Sequence, residues 1–109
     1  MQRMGWVIGI RPERIAEYRS LHAAVWPEVL ATISACGIRN YTIYLREPEN
    51  LLFAHFEYYG EDFAADIARM AENEATRRWW ALTDPCQQAL PSRQENEWWA
   101  RMAEVFHHD

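Results

Sequence analysis

Four histidines, His22, His55, His107 and His108, are the side chains of this sequence best suited to moving a proton near neutral pH. His22 follows Tyr18 by one helical turn, a spacing that stacks the two side chains on one helix face. Ile15 and Val25 continue that face, so the imidazole and the phenol share an apolar setting. His55 alternates with apolar residues in a β-type stretch and reads as a hydrogen-bonded core or interface histidine. His107 and His108 fall in the last three residues and read as solvated. An isolated histidine on an apolar helix face is most often structural, but the company of His22 argues for more. Tyr18, Tyr41, Trp79 and Trp80 can line one cavity with it, between helix and sheet. There an imidazole works as a general acid or base, while aromatic rings stack on the C–H face of a ring-shaped ligand.

Other chemistries find little support. No HxH, HxxxH or HxxEH spacing is present, so no metal site is expected. Ser20, Ser34 and Ser92 are the only serines, and none lies in a GxSxG elbow. There is no lysine, which excludes Schiff-base chemistry and a Walker A loop together. Cys36 and Cys86 form no CxxC motif and read as reduced thiols. No cofactor is expected. A net charge of −5 argues against a nucleic-acid partner. The apolar stretch near the N-terminus is too short for a signal-peptide core or a membrane span, so a soluble, cytoplasmic protein is expected.

The elements that must hold these residues follow from patterning. A chain of 109 residues predicts a single domain, residues 1–109. Residues 6–10 read as a buried strand. Pro12 suits the first turn of a helix carrying Ile15, Tyr18, His22 and Val25, and Pro27 either kinks it or opens a second helix over 27–35. Residues 38–45 and 51–59 predict a hairpin, with Tyr41, Ile43 and Leu45 on one side of the first strand. Leu52, Ala54, Phe56 and Tyr58 share one side of the second. Helix is expected over 62–71, a further turn or two over 74–82, an irregular stretch over 85–96 and a final strand over 99–106. Trp79 and Trp80 diverge by about 100° on a helix, leaving one of them free for a ligand or a partner. The order β-α-β-β-α-β is the ferredoxin-like α+β arrangement. One sheet face is left uncovered, and with six Trp, five Tyr and four Phe a homodimer with facing sheets is expected.

The strings YRSLHAAVWPEV (18–29), GIRNYTIYL (37–45), NLLFAHFE (50–57), RRWW (77–80) and MAEVFHHD (102–109) occur in this order. Together they resemble the L-rhamnose mutarotase family over nearly the whole chain. The resemblance implies a dimeric ferredoxin-like α/β barrel and a cofactor-free interconversion of the α and β anomers of a 6-deoxy-L-sugar. It also implies that His22 is the proton donor and that Tyr18, Tyr41, Trp79 and Trp80 contact a small neutral monosaccharide. One stretch departs from the family: after the paired Trp, rhamnose-specific relatives carry an Asn-Pro-Asp-Asn-Ser-Pro type of segment. Here residues 85–93 read PCQQALPSR, followed by a second pair, Trp98-Trp99. That difference keeps L-fucose as an alternative to L-rhamnose, and residues 85–99 are the expected reader of the sugar. A cofactor-free monooxygenase on the same dimeric barrel is the alternative from another class, and a non-catalytic sugar-binding scaffold is a third.

Overall fold

The structure, a computed structural model, describes residues 1–109. Its centre is a fully antiparallel sheet. Strand β1 (Gln2–Ile10) pairs along its length with β3 (Leu51–Tyr58), from Gln2 opposite Tyr58 to Gly9 opposite Leu51. On the far side of β3 lies β2 (Ile38–Arg46), while two short strands, β4 (Gln87–Gln88) and β5 (Ala100–Arg101), share the other edge of β1. Gly9 makes room for β4, since a Cβ there would stand 2.7 Å from the Gln88 carbonyl oxygen.

Period-two alternation decides which face is buried. On β3, Leu52, Ala54, Phe56 and Tyr58 are each no more than 2% exposed. Leu52, Phe56 and Tyr58 join Met4, Ile8 and Ile10 of β1 in two clusters covered by the helices. Val7, Phe53, His55 and Tyr44 belong to neither cluster, and Tyr44 is 63% exposed. His55 is therefore outside the core, its Nδ1–H donating to the Met4 carbonyl at 3.2 Å.

Each expected crossover is a pair of helices. A 3-10 turn (Pro12–Arg14) leads into α1 (Ile15–His22), which stops before Val25. Pro27 opens α2 (Pro27–Ala35) rather than kinking α1, and Gly37 follows with φ +84°, a conformation costly for residues with a Cβ. The second crossover is α3 (Phe63–Glu72) and α4 (Glu74–Thr83). Asp62 caps α3 by accepting from the Ala65 N–H at 3.1 Å, and Asn73 caps α4 by accepting from the Thr76 N–H at 2.9 Å. The expected turn or two over 74–82 is thus a ten-residue helix. The Tyr58 hydroxyl donates to Asp66, and Arg69 bonds both Asp66 and the Ala35 carbonyl, tying α3 to β3 and α2.

The final strand is shorter than expected. Pairing covers only Ala100 and Arg101, opposite Val7 and Trp6, with one more backbone bond from Met102 N–H to the Gly5 carbonyl at 2.8 Å. Residues 102–109 carry no ladder, and Val105 and Phe106 are 95% and 81% exposed. Their apolar pattern imitates a strand, but beyond the Met102 bond and an Arg3–Glu104 ion pair at 2.7 Å the chain offers no surface that buries Val105 and Phe106.

Candidate active site

Helix α1 places Tyr18 and His22 face to face, with ring centroids 4.2 Å apart and planes inclined by 32°. The His22 Nδ1–H donates to the Tyr18 carbonyl at 2.8 Å. A carbonyl only accepts, so Nδ1 carries the hydrogen and the neutral ring keeps its lone pair on Nε2. Burial lowers the His22 pKa below the usual histidine range, outweighing the opposite pull of that hydrogen bond. The imidazole is therefore a neutral base at pH 7. Trp79 meets its ring edge-on at 5.3 Å, and Trp26 backs Trp79 at the same distance.

Tyr18, His22, Tyr41, Trp79 and Trp80 all border one open cavity of about 980 Å³ between the helices and the concave sheet face. The paired tryptophans divide as their angular separation requires. Trp79 is 6% exposed and wedged between His22 and Trp26, while Trp80 is half-buried against the Met4 and Phe56 cluster. Tyr41 borders the cavity together with Ile43 and Leu45, as period-two alternation requires. The bulge between Arg39 and Thr42, with Asn40 at φ 53°, lets Ile38 face the core as well. The Tyr41 ring lies 5.6 Å from that of Phe56, and its surroundings push the phenol up to about 12. Tyr18 is raised further, mainly by burial. Both phenols remain protonated donors across the neutral range.

Three further residues border the cavity that spacing did not single out. Asp84 follows α4 by one position, its carboxylate raised by burial and free of any side-chain ion pair. Gln87, 4% exposed, donates from Nε2 to the Tyr18 hydroxyl oxygen at 3.1 Å. Trp98 donates from Nε1 to Gln87 Oε1 at 2.7 Å. Gln87 and Trp98 both lie in the stretch 85–99 expected to read the sugar. That stretch has no periodicity and Gln87 meets a partner on a distant helix, so no local pattern marks the two residues individually. No group of three or more His, Cys, Asp or Glu side chains converges anywhere in the chain.

These features define a small α+β protein with a curled antiparallel sheet, whose concave face holds an aromatic cavity equipped with an imidazole and phenols. The family model described as L-rhamnose mutarotase matches residues 3–108. A protein of Bacteroides thetaiotaomicron named L-rhamnose mutarotase is 31% identical over 109 residues, covering 100% of each chain. The chain belongs to the L-rhamnose mutarotase family, and is an enzyme of the isomerase class. Among solved structures, the crystal structure of L-rhamnose mutarotase from Formosa agariphila superposes with a TM-score of 0.79 at 24% identity, over 100% of both chains. Tetracenomycin F2 cyclase of Streptomyces glaucescens shares the fold at a TM-score of 0.66 and 14% identity, covering 99% of this chain and 96% of its own. Antibiotic-biosynthesis monooxygenases share it more distantly, at TM-scores of 0.57 and 0.59. The fold is therefore common to several chemistries, and the family membership rests on sequence.

Proposed function

We infer that this chain interconverts the α and β anomers of L-rhamnose, with His22 as the group that moves the proton. The observation that carries this reading is the state of His22: Nδ1 held by a carbonyl, Nε2 free, and the ring neutral. Nε2 takes the proton from the anomeric O1–H. The C1–O5 bond then breaks, O1 becomes the aldehyde oxygen, and the electron pair goes to O5. The imidazolium, made a strong acid by its burial, returns the same proton to O5. Rotation about C1–C2 and the reverse sequence close the ring on the other face, with no net proton gained or lost. His22 is thus base first and donor second.

Tyr18 and Tyr41 offer hydrogens to the sugar oxygens, and Asp84 accepts from its hydroxyls. Trp80 covers the C–H face and the C6 methyl, and Trp79 backs the imidazole. The same reading makes the protein a cytoplasmic homodimer that closes a barrel through the uncovered sheet face, where Val7 of β1 pairs with Phe53 of β3 and Tyr44 is exposed. No helix of the chain is long and apolar enough to cross a membrane. Saturation-transfer NMR between the two anomeric protons tests the substrate directly. Faster exchange is expected for L-rhamnose than for D-glucose, whose extra C6 hydroxyl has no partner on an aromatic wall, by about tenfold to a hundredfold. Preference for L-fucose over L-rhamnose, or oxygen consumption on a hydroquinone with no sugar exchange, would replace this reading.

A further inference from the structure

We propose that Gln87 and Trp98 are positioning residues that fix the direction in which the Tyr18 hydroxyl donates. Through them the stretch after α4 sets the hydrogen-bond polarity of the site. The proposal rests on the cavity being the L-rhamnose site. Its logic begins at the indole, which has one N–H and no acceptor. The Gln87 atom 2.7 Å from Trp98 Nε1 must therefore be the amide oxygen. That orientation leaves the NH₂ group facing Tyr18, 3.1 Å from its hydroxyl oxygen, where it can only donate. The Tyr18 oxygen is the acceptor in this bond, so its own hydrogen remains free for the cavity. Gln87 is held in place by its backbone pairing with Ile10 and is almost completely buried, so water does not compete for the amide.

Without the indole N–H, the Gln87 amide can turn over. Its oxygen then accepts the Tyr18 hydrogen, and Tyr18 shows the sugar only lone pairs. The charge that develops on O1 and O5 during ring opening loses its donor, an effect on turnover more than on binding. Gln87→Glu imposes that reversed state directly, because a carboxylate accepts from both Trp98 and Tyr18.

A double-mutant cycle on anomer exchange of L-rhamnose tests the chain of bonds. Trp98→Phe should lower kcat by about threefold to tenfold. Gln87→Glu should lower it by about thirtyfold or more, with KM changed far less. In a Tyr18→Phe background neither should cost more than about twofold further, since the donor they control is already gone. Losses that multiply in full in that background, or wild-type kcat in both single variants, would overturn the proposal. Trp98 is 42% exposed, so Trp98→Phe keeps the cycle usable if Gln87→Glu fails to fold. The Trp98 indole N–H proton resonance gives a readout independent of turnover. It should move toward the solvent-exposed range in Gln87→Leu, and an unmoved signal would also overturn the proposal. A wild-type protein inert toward every sugar would defeat the substrate reading, whereas an active one with fully independent losses defeats only the relay.

Discussion

At His22 the proposed chemistry follows from one hydrogen bond and its burial. The Tyr18 carbonyl takes the Nδ1 hydrogen, and desolvation keeps the ring neutral. Burial disfavours the charged imidazolium, so protonation occurs at a lower pH than the ordinary value of 6.5. In the proposed mechanism the neutral form starts the reaction, so kcat/KM for L-rhamnose should be flat from neutral pH upward and fall with an acid limb centred below 6.5. A pH–rate profile measured by anomer exchange checks this, and a limb centred above that value would contradict it. The pairing of Tyr18 with His22 was legible in the sequence because both lie on one helix, one turn apart. Which nitrogen faces the cavity was not, since it depends on a carbonyl position that only the folded helix fixes. Asp84 was invisible, and Gln87 was legible only as part of the stretch 85–99, for a related reason: each gains its meaning from the cavity it borders, not from its sequence neighbours.

Among the elements, α4 has the heaviest positioning task, since it carries Trp79 and Trp80 and delivers the chain to Asp84 and Gln87. Its first turn depends on Asn73, whose Oδ1 accepts from both the Thr76 N–H at 2.9 Å and the Thr76 hydroxyl at 3.0 Å. Asn73→Ala should cost about 1 kcal/mol, the usual value of a lost N-cap. In thermal unfolding that loss corresponds to a Tm lower by about 4 to 8 °C for a domain near this size. Turnover per folded molecule should stay close to wild type, because the cap is remote from the ring contacts. An unchanged Tm would show that packing alone holds the helix. The hairpin and the helix positions were readable from alternation and from Pro and Gly placement. The C-terminal strand was misjudged for an instructive reason. Apolar residues report a need for burial, but Val105 and Phe106 find no surface in their own chain. The face of Tyr41 was readable from its alternation with Ile43 and Leu45, but the β2 bulge beside it was hidden, since it is a feature of the β2–β3 register.

For the whole molecule, one sheet face is covered by four helices and the other by none. A 109-residue chain buries a modest core, and here the uncovered face carries Phe53 and Tyr44 while the tail exposes Val105 and Phe106. A second copy of the chain is the partner we propose for this surface. Light scattering at micromolar concentration should give about twice the 12.9 kDa chain mass. A stable and fully active monomer would contradict that assembly. The fold class was legible from element order, yet the fold alone is shared with a cyclase and with monooxygenases. Only the residues around His22 and the family relationship separate those chemistries.

The central claim, that His22 moves the proton in L-rhamnose anomer exchange, is tested most directly by saturation-transfer NMR on wild type and His22→Ala side by side. At pH 7, wild type should accelerate exchange between the anomeric protons of L-rhamnose. Folded His22→Ala should lose about a hundredfold or more of that acceleration, the lower end for removing a general acid–base group. Prior dialysis against a strong chelator should leave the wild-type rate unchanged, because the step uses only the imidazole and the sugar's own proton. Exchange by folded His22→Ala at the wild-type rate would contradict the account.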